Sequence, residues 1–281
     1  MLCIPFLTLF ERKVLSYRQS RKGPKKVRVL GLLQPVADGV KLIIKEFGFP
    51  KVSKKFGFFF SPVILFLLMI FTLICISNIF KGWRFMYSIL LFLVFSSIRI
   101  FRIFFSAISR NSKYTLLGGF RGAAQVISYE IRIITILLIP CRLRKTLKFS
   151  EMFFNFKIIF LTLPIVFFFW IIAIIAETNR APFDFSEGER ELVSGFKTEY
   201  GRLEFTFLFL GEYGNIIISR IISSILFFKN LLFLGFFRLI FLFIFVWFRR
   251  TFPRYRYDLL MNFSWKVILP SSLWIFFIIV I

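Results

Sequence analysis

Long apolar stretches separated by short polar ones dominate the chain. Residues 57–80 (GFFFSPVILFLLMIFTLICISNIF) are apolar almost throughout, and further stretches cover 85–108, 115–141, 153–176, 203–227, 230–248 and 265–281. Each approaches or exceeds the ~20 residues a helix needs to cross the hydrocarbon of a bilayer. Helices satisfy their own backbone hydrogen bonds in lipid, so the pattern predicts an all-α integral membrane protein with seven full transmembrane helices. The start differs. MLCIPFLTLF supplies only ten residues before Glu11, Arg12 and Lys13, so residues 1–17 predict a truncated first helix. A cleavable leader is not expected, because the basic cluster follows the apolar stretch instead of preceding it. Residues 1–281 read as a single membrane domain.

One segment has helical spacing without being a span. In GLLQPVADGVKLIIKEF (31–47), Leu32, Leu33, Val36, Val40, Ile43, Ile44 and Phe47 form one face, and Gln34, Asp38, Lys41 and Lys45 the other. Two faces at this period predict an amphipathic helix lying along a membrane or protein boundary, with Pro35 in its first turn.

Composition narrows the class. Of 281 residues, 58% are hydrophobic and 45 are Phe, while the net charge is +24. A nucleic-acid binder would carry such charge on a polar surface; here it shares the chain with membrane spans. Histidine is absent, which excludes His-held haem, His-ligated zinc and the usual proton shuttle near neutral pH. Cys3, Cys75 and Cys141 are isolated, so neither a disulfide framework nor a metal cluster held by this chain is expected. If the truncated helix is the first span, the segments 11–55, 106–114, 177–202 and 249–264 share one side and carry 23 Lys/Arg, against 7 in 81–84, 142–152 and 228–229. The positive-inside rule puts the first group in the compartment of synthesis, and the 142–152 segment is the exception to the bias.

Eight of the 14 acids fall between residues 177 and 212. A solvated loop accounts for Glu187, Glu189, Glu191 and Glu204. It does not account for Glu212 in FTFLFLGEYGNIIIS or Glu130 in AAQVISYEIRIIT. A charge at the centre of a span costs roughly 2.5–3.5 kcal/mol and normally faces a polar cavity or a partner. Arg132, two residues from Glu130, points elsewhere on a helix. Such carboxylates, with bound water, provide a proton path that needs no histidine; ion pairing with an intramembrane Arg is the alternative. The basic stretch from Arg12 to Arg28 reads as a topology signal touching lipid phosphates or as a dock for an acidic soluble partner.

The polar motifs ERKVL (11–15), RKGP (21–24), GLLQPVADGVKLIIKE (31–46), SRNSKY (109–114), AQVISYE (124–130), AETNRAPFDFSEGERELVSGF (176–196), EY (199–200), GEYGNI (211–216) and FPRYRYDLLM (252–261) occur in this order. Together they resemble the subunit 1 family of respiratory complex I, the proton-pumping NADH:ubiquinone oxidoreductase, over residues 8–275. The resemblance implies a subunit, normally of eight transmembrane helices, at the joint of the membrane and peripheral arms, forming a quinone access chamber. It implies ubiquinone as substrate and no cofactor bound by this chain, with NADH, FMN and iron–sulfur clusters handled by partner subunits. By motif match, Arg12, Arg180, Arg254 and Arg256 belong to the quinone chamber. Glu11, Asp38, Glu130, Glu177, Asp184, Glu187, Glu189, Glu191 and Glu212 form its proton and coupling path, and Glu204 is left out. The implied partners are the other membrane and peripheral-arm subunits and membrane lipid, with no nucleic acid.

Two departures stand out. Arg28-Val29 replaces the Gly-Pro common in the family after RKGP, and most of the first helix is missing. A separate polypeptide completing that helix, or a start upstream of Met1, is expected from the second. The mitochondrial inner membrane is the expected location, with a bacterial plasma membrane or a thylakoid as alternatives. The competing functions are the equivalent subunit of a membrane-bound hydrogenase, a stand-alone proton or ion transporter, and a non-catalytic membrane anchor.

Overall fold

The computed structural model describes residues 3–27, 29–45, 53–77, 86–154, 162–184, 200–228 and 231–281, and these are helical with short connections. The helices are α1 (Cys3–Arg18), α2 (Gln34–Ile44), α3 (Lys55–Ser77), α4 (Ser88–Arg110), α5 (Lys113–Arg144), α6 (Phe149–Phe154), α7 (Pro164–Glu177), α8 (Arg202–Phe227), α9 (Leu231–Thr251), α10 (Tyr257–Phe263) and α11 (Leu269–Val280). A π-helical segment, Ser264–Ile268, joins α10 to α11. The all-α membrane architecture expected from the apolar pattern holds. Lys55–Ile76, Ser88–Arg110, Leu203–Phe227 and Tyr257–Val280 are each long and apolar enough to cross a bilayer, and Pro164–Glu177 is a shorter apolar helix.

Helix boundaries differ from the apolar runs where polar residues sit inside a helix. The last span begins at Tyr257 rather than 265, because Asp258 and Asn262 ride on a helix that hydropathy alone would truncate. The 153–176 run is entered by the short α6, and its residues 155–161 lie outside the described part.

Glycines set the closest helix approaches. A Cβ on Gly211 would lie 2.5 Å from Leu65, and one on Gly214 would lie 2.6 Å from Met69. The GEYG turn of α8 therefore presents bare backbone to α3, in the way small residues let helices meet in lipid. Gly119 does the same between α5 and α4, where a Cβ would sit 2.2 Å from that of Ala107.

Buried arginines tie the bundle together. Arg144 is 6% exposed. Its guanidinium donates to the carbonyls of Met152 (2.7 Å), Ile225 (3.0 Å) and Leu226 (3.0 Å). It thereby satisfies carbonyls that the end of α8 leaves without intrahelical partners. Arg144→Ala should destabilise the protein by about 3 kcal/mol, since hydrogen bonds from a charged donor are the strong kind and the carbonyls stay buried. An unchanged thermal unfolding temperature in detergent would refute this capping role. Arg132, fully buried in α5, does not face Glu130; its guanidinium lies 4.2 Å from the Tyr129 ring centre and 5.9 Å from that of Trp265.

The amphipathic helix α2 is turned opposite to one in a soluble protein. Its polar face meets α1: Arg12 Nη1 lies 2.9 Å from Asp38 Oδ2, and Gln34 Nε2 donates to Asp38 Oδ1 over 3.0 Å. Val36, Val40, Ile43 and Ile44 are exposed, so part of the apolar face points outward.

Candidate functional site

The site gathers at one end of the helices, where four chain segments converge. Lys54 N–H donates to Ser109 O (2.7 Å), and Tyr255 N–H to Pro182 O (3.2 Å). The turn after α7 is shaped by Asn179, which takes the left-handed conformation (φ 50°) that Asn tolerates better than most residues. Gln125 of α5, fully buried, fastens this turn by donating to Ala176 O (3.0 Å) and Phe183 O (2.9 Å). Arg180 is thereby directed toward α1 and α8.

There it meets Glu11. The Glu11 carboxylate is 5% exposed and accepts from Arg180 Nη1 (3.1 Å), from Arg249 and from the Tyr213 hydroxyl (3.0 Å). Arg180 also lies 4.1 Å over the Tyr213 ring. Burial works against the charge of Arg180, but Tyr213 and Glu11 outweigh it and hold the guanidinium above its ordinary pKa. Arg180 is a fixed cation, and one carboxylate here serves two guanidiniums.

A second set lies within the spans. Arg102 Nη1 of α4 is 3.7 Å from Glu212 Oε1 of α8. Arg99 bonds Glu177, the last residue of α7, where a carboxylate would otherwise oppose the helix dipole. Glu130 lies within electrostatic range of both Arg99 and Glu177. Two carboxylates thus share one guanidinium, so the trio carries either a net negative charge or a proton.

Two cavities adjoin these groups. One, of about 520 Å³, is polar and includes Arg180, Asp184, Glu212, Tyr213, Arg249 and Arg254 in its wall. The other, of about 420 Å³, is apolar and includes Ile172, Phe183, Phe248, Tyr255, Leu259 and Phe263. Phe252 belongs to both walls.

The expected site residues divide accordingly. Glu11, Arg180, Asp184, Glu212 and Arg254 come together around the polar cavity, with Arg254 Nη2 3.7 Å from Asp184 Oδ2. Glu130 and Glu177 form the neighbouring cluster. Arg12 and Asp38 pair at the α1–α2 contact. Arg256 bonds Asp258 at 3.2 Å with its side chain 81% exposed, and it lines neither cavity. Glu187, Glu189 and Glu191 lie outside the described residues.

Glu204 corrects the sequence reading. It is not on a solvated loop; it stands in the first turn of α8, 3% exposed, with Oε1 lacking a hydrogen-bond partner. Sequence reasoning also passed over Arg99, Arg102, Arg249 and Tyr213. The signal for the first two was present, since a cation inside a span needs an anion as much as the reverse.

A family model described as NADH dehydrogenase matches residues 1–280. Among curated relatives, the NADH-ubiquinone oxidoreductase chain 1 of Anopheles gambiae is 42% identical, covering 99% of this chain and 91% of its own length. Proteins of the same name from Heterololigo bleekeri and Chondrus crispus are 41% and 40% identical, covering 100% and 99% of this chain and 93% and 91% of their own lengths.

Proposed function

Because the chain belongs to the NADH dehydrogenase family, we propose that it is a membrane subunit of a proton-pumping NADH:ubiquinone oxidoreductase. In this reading it forms a quinone access chamber and couples quinone reduction to proton movement through its buried carboxylates. The observation that carries it is the meeting of the apolar and polar cavities at Phe252. Ubiquinone has the same division: an isoprenoid tail that seeks apolar walls and a carbonyl-bearing ring that accepts hydrogen bonds.

Reduction to the quinol takes two electrons and two protons. The electrons come from redox centres in partner subunits; this chain supplies position, charge and protons. Negative charge developing on the ring competes for the guanidiniums around the polar cavity. At an effective dielectric of ~20, a unit charge 4 Å away is worth about 4 kcal/mol, comparable to the pairings it disturbs. Exchange of Arg102 between Glu212 and quinone frees a buried carboxylate, which takes up a proton rather than remain bare. The Glu130–Arg99–Glu177 trio provides the next acceptor.

The remaining partners follow from this reading. They are the other membrane and peripheral-arm subunits, with the exposed apolar face of α2 seated on lipid or on one of them. The mitochondrial inner membrane is the location we assign, supported by the eukaryotic sources of the relatives.

Phe252 provides the test. Phe252→Trp should raise the KM for ubiquinone severalfold, by crowding the passage between the cavities. NADH oxidation by an artificial acceptor reduced in the peripheral arm should be unchanged. If the KM for ubiquinone stays at its wild-type value, the passage does not carry quinone. Co-migration of the chain on a native gel with in-gel NADH dehydrogenase activity excludes a lone carrier, and hydrogen-dependent activity there would favour the hydrogenase reading.

A further inference from the structure

When Arg102 leaves Glu212, a proton has to reach a carboxylate held inside the bundle. Glu204 stands about two turns before Glu212 on α8, 3% exposed, with Oε1 lacking a hydrogen-bond partner. Helix register shows what surrounds it. α8 runs parallel to α3: Tyr200, just before α8, stacks on Phe58 with ring centres 4.3 Å apart, and Phe207 meets Phe66 at 5.2 Å. Glu204 falls between these two contacts, level with buried Ser61, whose hydroxyl lies 2.6 Å from that of Tyr200.

α4 runs antiparallel to both. Phe71 and Phe95 stack at 5.6 Å, while the Arg110 guanidinium lies 5.4 Å from the Phe58 ring centre and 4.1 Å from that of Tyr200. Arg102 pairs with Glu212. Arg110 lies eight residues after Arg102 on α4, and Glu204 eight residues before Glu212 on α8. In antiparallel helices these equal steps cancel, so Arg110 and Glu204 form the next rung, about 12 Å along the axis. Both arginines are buried, and Arg102 lies within electrostatic range of Tyr200, so the two rungs adjoin.

A carboxylate in the first turn of a helix also gains from the helix dipole, and that alone would make Glu204 structural. Its geometry gives it a further use, because Oε1, to which no group donates, can accept a proton. We propose that Glu204 is the proton-loading carboxylate for Glu212, a step that rests on the reading of Glu212 given above. Glu204 takes a proton at the end where α8 begins, beside the hydroxyls of Tyr200 and Ser61. It gives that proton to water ordered by the Arg102 guanidinium, and the Glu212 carboxylate accepts one from the same water. Glu204 returns to its anion and Glu212 becomes neutral. The water is required because ~12 Å is too long for one hydrogen bond.

The intact complex carrying this chain, reconstituted in proteoliposomes, tests the step. Glu204→Gln should lower turnover at saturating ubiquinone by roughly tenfold and leave the KM for ubiquinone unchanged. The loss stays below the hundredfold scale of a positioned acid–base group, because Glu212 also lines the polar cavity. The solvent isotope effect in heavy water should rise, since proton entry becomes the slow step, and Glu204→Asp should recover most of the turnover. Wild-type turnover in Glu204→Gln, or a loss with an unchanged isotope effect, would overturn the proposal. If Glu204→Gln fails to assemble, Tyr200→Phe decides, because it removes the hydroxyl and keeps the ring stacked on Phe58. A raised isotope effect there supports the route, and wild-type values overturn it. A slow Glu212→Gln beside a fully active Glu204→Gln overturns this step alone; full turnover in Glu212→Gln takes the underlying reading with it.

Discussion

Exchanging Glu212 for Gln should leave the complex assembled and lower NADH:ubiquinone turnover and proton translocation by roughly a hundredfold, the scale of losing a positioned acid–base group. The amide nearly matches the carboxyl in size, so the packing of α8 against α3 is kept. It cannot bind and release the proton that the polar cavity requires, and it offers Arg102, 3.7 Å away, no counter-charge. Electron entry from NADH to an artificial acceptor should be untouched, because that chemistry lies in partner subunits. Glu130→Gln should act in the same direction and less strongly, since Glu177 remains to share Arg99. Full coupled turnover in both variants would leave the carboxylate relay without support.

Glu11→Gln should act on assembly instead. The carboxylate is almost fully buried and is the shared anion of Arg180 and Arg249. Removing its charge leaves two guanidiniums facing each other, and breaking a buried pair from one side costs about 3–5 kcal/mol. That is a large fraction of a typical folding free energy. The expected result is a marked loss of assembled complex and a lower unfolding temperature, partly restored by Glu11→Asp. If Glu11→Gln assembles at the wild-type level and loses only turnover, Glu11 carries protons and is not a structural anchor.

Much of the architecture was legible as uninterrupted hydropathy. Runs such as 57–80 cannot be folded any other way in lipid, and Pro35 with the two-faced pattern after it located α2. The pairings were not legible, because they join residues far apart in sequence: Glu11 with Arg180 and Arg249, and Arg102 with Glu212. Arg99 and Arg102 interrupt the apolar run 85–108 in the sequence, yet they are the counter-charges of Glu177 and Glu212. Arg144 illustrates the converse. Counted as a loop cation, it weakened the charge asymmetry between the two sides. In the structure it is an internal cap on carbonyls, so it does not belong in that count. Glu204 read as part of a solvated acidic loop; the first turn of α8 buries it instead.

The glycines flanking Glu212 have a mechanical consequence. With Gly211 and Gly214 set against Leu65 and Met69, α3 and α8 meet almost backbone to side chain, with no compressible padding between them. A seam of this kind resists sliding and rolling, since any shift drives main-chain atoms into a filled surface. Glu212 is consequently mounted on a stiff keel. Whatever movement accompanies quinone reduction must be taken up by side-chain rotation and by the turn that carries Arg180, while the keel holds the backbone under Glu212 against α3.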